Sequence, residues 1–443
     1  MLPTKYLVVF IAVLVAFLAL CWYLQYGRRI GKPLKVMGKI FIICLCIMYG
    51  IGLKYLIKGD STINSITDAN IKTHMISVVV MKDSKIKSLR DTADQTYGIV
   101  DAMDNKNTYK TIEKVNKAIK KEVDTQSYAS YVEASQALID GYAKVILLNE
   151  SYRSMVEESI SDFSEKTIVL KQFKEEEKLK DISKDVDVTS ESFNFFISGI
   201  DTYGDISAVS RSDVNLLLTI NPNTHQILMT HIPRDYFIPF TCLDGRKDKL
   251  TDSGIYGVDC TVASLENYLN ININYYGRVN FNSLINLVDI LGGITVDSSY
   301  SFSAGGYTFP AGTQLLNGKQ ALAFSRERKT LNGGDRERGR NQMRVLTAII
   351  DKVLSKSIII KYDAIMESFS NSFQTNLAAS EMSSLIKMQL NDMSSWTIIQ
   401  QSVNGSDSTD YSYTIGHDEY VMIPYESSVK QAKRQINQVL NNE

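Results

Sequence analysis

The chain has 443 residues, 44% of them hydrophobic and 22% charged, with a formal net charge of −1 at pH 7. That length allows two or three domains with sizeable cores. The near-neutral balance argues against general nucleic-acid binding, which needs a basic surface over a whole domain.

Tyr6 to Leu24 is almost wholly apolar and matches the ~20 residues a membrane helix needs. A second apolar run, Ile40 to Leu53, is extended by Val36, Met37, Tyr55 and Ile57. It spans if Lys39 and Lys54 sit near the interfaces, where lysine snorkels. Between the runs lie Arg28, Arg29, Lys32 and Lys35, a basic turn that the positive-inside rule puts in the cytoplasm. Trp22, Tyr23 and Tyr26 then belong to the inner aromatic belt. A cleaved signal peptide is the alternative, but no small-residue cleavage site follows Leu24 and a second span comes instead. Residues 1–58 are therefore expected to be a two-pass membrane anchor, with helices over about 6–24 and 36–57 and a cytoplasmic turn at 28–35. Everything after about Gly59 is expected outside the cell.

Residues 60–185 read as a separate, smaller α/β module. Ile76 to Val80 is β-branched and looks like a strand, Tyr109 to Lys121 has helical spacing, and Tyr128 to Ser159 reads as a longer helical pattern. His74 is alone, and a lone histidine is more often structural than a ligand. The charged run Lys171 to Lys178 reads as a solvated helix end or linker closing the module.

Residues 190–443 have a different texture. Phe193 to Ile197, Val214 to Ile220 and Gln226 to His231 are short apolar runs of the kind buried strands make. Ile294 to Val296 and Val279 to Phe281 are further strand candidates. Val262 to Leu269 and Phe281 to Leu291 look like helices, the latter closed by Gly292 and Gly293. Asp335 to about Leu354 is a long helix with a core stripe at Leu346, Ile349, Ile350 and Val353, and a last helix runs from about Ser427 to Leu440. Strands alternating with helices argue for a sheet covered on both faces. Of the five cysteines, Cys242 and Cys260 are the only pair in the soluble part, and no CxxC or Cys/His zinc spacing occurs. Sequence alone leaves open whether that pair is joined.

Four polar clusters fall at strand ends or in loops of this last region, where α/β sheets place ligands. They are Gly199-Ile200-Asp201, Arg211-Ser212-Asp213, Pro233-Arg234-Asp235 and the stretch from Arg326 to Arg344. In that stretch Arg326, Arg328, Lys329, Arg336, Arg338, Arg340 and Arg344 outnumber Glu327, Asp335 and Glu337. Arginine-rich helix starts are usually solvated surface. Here Arg326 and Arg328, two apart, point the same way if extended. Arg338 and Gln342 share a helix face if Asp335, suited to the positive end of a helix, opens one. Arginine forks take phosphate oxygens two at a time. Asp201 and Asp213 could share a hard cation such as magnesium, which takes one or two carboxylates and fills its shell with water and phosphate.

These motifs also carry a resemblance. GID at 199–201, RSD at 211–213, IPRD at 232–235, DKLT-x-x-GIYGVD at 248–259, YYGRVNF at 275–281, LVDILGGITV at 287–296, LNGKQALAFSRER at 316–328 and GDRERGRNQ at 334–342 occur in order. Residues of about 192–355 closely resemble the catalytic domain of the LytR-CpsA-Psr family, enzymes that attach wall polymers to peptidoglycan. The RGRNQ ending and the anchor-plus-module layout are most similar to its capsule or exopolysaccharide branch. The resemblance implies an α/β/α sandwich around a central mixed sheet. It implies a polyprenyl-pyrophosphate-linked glycan as donor, peptidoglycan as acceptor, and magnesium, or manganese in its place. Other capsule or exopolysaccharide assembly proteins join the expected partners, and nucleic acid does not. Asp201 and Asp213 fall where the family holds its metal. Arg211, Arg234, Arg326, Arg328, Arg338 and Gln342 fall where it grips pyrophosphate and lipid headgroup, with Lys249 and Asp235 as further members. Many members have an arginine where this chain has Asn341, which leaves the role of Arg340 open.

The reaction implied is glycosyl-phosphate transfer, with charge neutralisation by magnesium and arginines as the protein's main contribution. Asp213 or Asp235 is the candidate base, although a metal ligand is a poor one. The space between the sheet and the helices at Phe281 to Leu291 and Asp335 to Leu354 is the candidate lipid groove. Three rival readings remain: a polyprenyl-pyrophosphate hydrolase with water as acceptor, a membrane-bound regulator, and a scaffold that holds glycan-lipid without turnover.

Overall fold

The computed structural model describes residues 4–26, 31, 33–47, 49–50, 71–200, 205–355 and 373–441. Helix α1 spans Thr4–Tyr26, and residues 33–47 form a second helix, α2, with Pro33 at its first position. The two pack together: the Phe17 and Phe41 rings are 4.8 Å apart, and the Gln25 side-chain amide donates to the Lys35 carbonyl over 2.8 Å. Val13, Val15 and Trp22 on α1 and Ile40, Ile43 and Ile47 on α2 are exposed. Among the described residues no helix is long and apolar enough to cross a membrane. Side chains of α1 are described without a break only over residues 11–26. Of the expected basic turn, Arg28, Arg29 and Lys32 lie outside the described residues, as does the expected second span beyond 50.

β1 (Ile71–Met81), β2 (Tyr97–Ile99), β3 (Thr125–Ser127), β4 (Val145–Asn149) and β5 (Thr167–Lys178) form a sheet in the order β3-β2-β4-β1-β5. Alternate side chains of β1 and β4 feed two cores. Val79, Ile146 and Leu148 pack with helix α4 (Tyr131–Ile139). Val78, Val80, Val145 and Leu147 pack with α3 (Asp101–Ile119). Two expectations fail here. Tyr128 to Ser159 is not one helical stretch but α4, β4 and a short helix α5 (Arg153–Ser159), because a short apolar run fits a buried strand as well as a helix. Lys171 to Lys178 is not a linker but the outer half of β5, antiparallel to β1. Its glutamates are paired: Glu175 with Lys114 at 2.5 Å, Glu176 with Lys174 at 2.8 Å, and Glu177 with Lys106 at 2.8 Å and Lys72 at 3.4 Å.

The second sheet comprises β6 (Phe193–Ile200), β7 (Ser212–Asn221), β8 (Gln226–His231), β9 (Tyr275–Val279), β10 (Phe373–Thr375) and β11 (Thr397–Ser402), in the order β10-β9-β6-β7-β8-β11. It is mixed, with β9–β6 and β8–β11 parallel and the other pairs antiparallel. One face gives Phe196, Leu217 and Leu228 to a core with helices α6 (Val258–Leu269) and α10 (Glu426–Asn441). The other gives Leu216, Leu218 and Met229 to Met343 and Leu346 of helix α9 (Asp335–Leu354). The result is a helix–sheet–helix sandwich. The strand expected over Val279 to Phe281 stops at Val279. Asn280 then caps helix α7 (Phe281–Ile290) by accepting from the Ser283 N–H, which ends at Gly292 and Gly293 with φ of 78° and 85°. Cys242 and Cys260 are joined in a disulfide with Cα atoms 5.5 Å apart.

The two sheets are tied where the chain approaches β7. The Thr73 amide donates to the Ser207 carbonyl at 2.8 Å and the Val209 amide to Thr73 at 2.9 Å, while the Ser151 hydroxyl donates to the Val209 carbonyl at 2.8 Å. The loop that delivers Arg211 is therefore clamped to the first sheet.

Candidate active site

A cavity of about 460 Å³ opens between the second sheet and helices α7 and α9. Its inner wall is apolar: Phe195, Ile197, Leu216, Leu284, Leu287 and Ile349 are among its lining. Its mouth carries Arg211, Asp213, Arg234, Arg326, Arg328, Arg338 and Gln342. The candidate groove and six expected headgroup ligands thus meet in one place. Asp201 lies outside the described residues.

Each side chain is delivered by a local rule. Arg211 and Asp213 flank Ser212, the first residue of β7, and Arg234 follows β8 across Pro233. Arg338 and Gln342 share one face of α9, which Asp335 opens as expected, and Asp335 pairs with Arg338. Arg326 and Arg328 are not both in an extended segment: Arg326 is the last residue of helix α8 (Gly318–Arg326). Its guanidinium carbon sits 4.2 Å from the centre of the Phe281 ring, a cation–π arrangement. Three other arginines of the stretch are engaged elsewhere. Arg336 donates to the Gly405 carbonyl, and Arg340 and Arg344 pair with Glu337. Asn341 is fully buried, donates to the Phe324 carbonyl of α8 and accepts from Arg344, so it fastens α9 to α8.

Asp213 is the anionic centre. Its Oδ1 accepts from Arg234 at 2.7 Å and from the Thr251 hydroxyl at 2.8 Å. Burial alone would raise its pKa, but Arg234, Arg211 and the Thr251 bond outweigh it and hold the carboxyl ionised well below the usual range. Arg211 is buried and bound on both fork nitrogens by Glu158. The Arg234 Nε, 3.5 Å from the Asp235 carboxylate, and the Gln342 Oε1, an acceptor, are buried with no hydrogen-bond partner. Such atoms are costly unless a ligand answers them. Asp235 and Lys249 stand behind this wall. Asp235 is buried, and burial followed by the Asp335 charge pushes its pKa up against the pull of Arg234. Lys249 is buried and ion-paired with Glu419 at 3.2 Å.

For a metal, Asp213 offers one hard oxygen donor, held ionised by its arginine neighbours, of the kind magnesium takes when phosphate and water complete its shell. Among the described residues no group of three or more His, Cys, Asp or Glu side chains could hold a metal ion.

Four residues here were not legible from the sequence. Glu158 lies 53 positions before Arg211, inside a stretch whose pattern suggests only a helix. Thr251 and Asp252 sit in a 3-10 turn; both Asp252 oxygens are buried without hydrogen-bond partners, and burial with the Asp248 charge pushes its pKa up to about 7. His231, at the end of β8, lies against Gly339 of α9, where a Cβ would stand 2.3 Å from its Cε1.

The LytR_cpsA_psr family model matches residues 158–437, more than half the chain. A model described as DNA polymerase processivity factor matches residues 33–148, a minority of it. The polyisoprenyl-teichoic acid–peptidoglycan teichoic acid transferase TagU of Bacillus licheniformis is 36% identical over 207 residues, 46% of this chain and 66% of that protein. Its Bacillus subtilis namesake is 36% identical over 209 residues, 46% and 67% respectively. The aligned part is thus about two thirds of each relative. A crystal structure titled a transcriptional regulator from Enterococcus faecalis superposes with a TM-score of 0.50 at 25% identity, covering 58% of this chain and 91% of that one.

Proposed function

The chain belongs to the LytR_cpsA_psr family, and from that premise we propose that it is a glycopolymer transferase. It moves a glycan from a polyprenyl-pyrophosphate carrier to peptidoglycan, leaving a phosphodiester link. The observation that carries this reading is the junction of one apolar cavity with five arginines and a glutamine around an ionised aspartate. A polyprenyl pyrophosphate has that same division, an apolar tail ending in a dianion.

The acceptor hydroxyl attacks the sugar-linked phosphorus. Its oxygen forms the new P–O bond, the bond to the carrier's phosphate breaks, and the hydroxyl proton passes to the departing polyprenyl phosphate or to solvent. Arg211, Arg234, Arg326, Arg328 and Arg338 orient the pyrophosphate and offset its charge, the chief contribution a protein makes to such a transfer. Gln342 supplies an amide to the same group. Asp213, held ionised among arginines, serves to set Arg234 and to hold magnesium, and is a poor proton acceptor. Magnesium bound there would add Lewis-acid neutralisation of phosphate oxygens. Asp235 and Lys249 support the wall from behind.

The wider assignment follows the same reading. Residues 1–58 anchor the chain as a two-pass hairpin, an interpretation supported by the mutual packing and exposed apolar surfaces of α1 and α2. Residues 60–185 form an accessory module and 190–443 the catalytic domain, both outside the cell. The polymer is proposed to be capsular or exopolysaccharide in type, with the teichoic acid in the relatives' names as the alternative.

The test uses the full chain in detergent micelles with magnesium, a lipid-pyrophosphate-linked oligosaccharide and uncrosslinked peptidoglycan, read by mass spectrometry. A phosphodiester-linked product that vanishes in Arg211→Ala and Asp213→Ala is expected. Polyprenyl phosphate released without linkage would instead make the protein a hydrolase. Retained lipid without turnover would make it a scaffold. Supplying capsular-type and teichoic-type donors in parallel separates the polymer classes.

A further inference from the structure

One side chain at the cavity mouth belongs to neither strand end nor arginine stretch. Glu158 comes from α5, on the first sheet's side, and lies on the Arg211 fork with Oε1 2.7 Å from Nη2 and Oε2 3.2 Å from Nη1. Its side chain is 49% exposed, against 6% for Arg211, and it lines the same cavity. Among the described residues Arg211 is its hydrogen-bond partner and no other is seen. The Arg211 bond keeps it ionised against the opposing effect of burial.

A guanidinium fork donates to two oxygens of a carboxylate or two of a phosphate in the same plane, and one edge cannot serve both. We propose that Glu158 is a resident anion on the Arg211 fork, displaced by the donor's phosphate, so that this residue tunes donor affinity and release. The inference rests on the reading of Arg211 as a phosphate ligand.

Three features favour exchange over a purely structural pair. A buried arginine left without a counter-charge is costly, so an empty site needs such an anion, whereas a filled site does not. The carboxylate side of the pair is half-exposed, 49% against 6% for the arginine, so the glutamate can swing into water while Arg211 stays in place. The clamp from Thr73 and Ser151 onto the 207–209 loop fixes the backbone that delivers Arg211 against the first sheet, so the Glu158 side chain alone has to move. It gives the first sheet a direct hand in the site.

The experiment measures binding of geranylgeranyl pyrophosphate to the full chain in micelles, with steady-state kinetics on the lipid-linked oligosaccharide. Glu158→Gln, which keeps the shape and loses the charge, is expected to bind the probe about three- to fivefold tighter. Its KM for donor should fall in step while kcat does not rise, because the product phosphate leaves the same fork more slowly. Glu158→Asp, charged but a methylene shorter, is expected between wild type and Glu158→Gln. Unchanged or weaker binding in Glu158→Gln, with Arg211→Ala still abolishing binding, would make Glu158 a structural partner and overturn the inference alone. A wild-type chain that does not bind the probe, or an Arg211→Ala chain that binds as well as wild type, would overturn the Arg211 reading and the inference together.

Discussion

Two neighbouring aspartates, Asp213 half-buried at the cavity and Asp252 fully buried behind it, face opposite ways in charge. Asp213 is bonded by Arg234 and Thr251, so its pKa lies below that of the unfolded chain. A depressed carboxyl adds stability that is present above the unfolded pKa of ~3.9 and is lost as pH falls below it toward the folded value. Asp213→Asn should therefore melt earlier than wild type at pH 7, by roughly 3 kcal/mol for a broken buried pair, and the gap should narrow below pH ~4. Its transferase activity should fall about 100-fold or more. Asp252 is the reverse case. Its pKa of about 7 means that the folded state holds a proton the unfolded chain has released, so stability falls as pH rises from ~4 to ~7. Asp252→Asn should match wild type near pH 4 and exceed it at pH 8 by about 2–4 kcal/mol. Thermal melts across pH check both, and parallel curves for wild type and Asp252→Asn would refute the second. The sequence displayed the arginines and Asp213 because they stand in short polar clusters at strand ends. Asp252 stands at an unassigned position of the DKLT-x-x-GIYGVD motif at 248–259, but a raised pKa comes from what surrounds a group in space, and nothing local encodes that.

At the scale of elements, α9 was legible and β5 was not. Asp335 to Leu354 shows a helical apolar stripe with an acid at its positive end, so period and terminus agree. The β5 run Lys171 to Lys178 is charged along its length, and its partners Lys72, Lys106 and Lys114 lie on β1 and α3. Only tertiary pairing makes such a run a strand. The position of α9 depends on a close approach: Gly339 lies flat on His231, which is buried, with a pKa lowered to about 3 by burial and then by Arg338. A neutral imidazole there can pack against a helix backbone without a charge to solvate. Gly339→Ala should push α9 off β8, costing about 1–3 kcal/mol and weakening donor binding through the displaced Arg338 and Gln342. His231→Ala opens space for that methyl, so the double variant should recover much of the lost binding. A double variant as impaired as the sum of its parts would show that the two residues do not share the contact.

At the scale of the whole molecule, the apolar helices α1 and α2 and the two sheets come with a cavity on the second sheet that the proposed function assigns to a lipid-borne anion. That arrangement is consistent only if the sheets work where the lipid carrier presents its glycan, and the disulfide offers an independent reading of that side. Cys242 and Cys260 are joined, whereas Cys21, buried, and Cys44 and Cys46, exposed on the hairpin, are free. Disulfides persist in oxidising compartments and are reduced in the cytosol. Thiol trapping in intact cells should therefore find the 242–260 pair oxidised, and recovery of both as free thiols would place the catalytic domain on the cytoplasmic side and refute the proposed topology. The bond closes a loop over a sequence separation of 18 residues, worth about 3 kcal/mol in the unfolded chain. Replacing both cysteines by serine should lower the melting temperature by several degrees. Because the pair ties the approach to the Lys249–Asp252 turn to α6, on the face of the sheet away from the cavity, the variant should lose stability while its donor KM stays near wild type. A large change in KM with little change in melting would instead mean that the disulfide shapes the site directly.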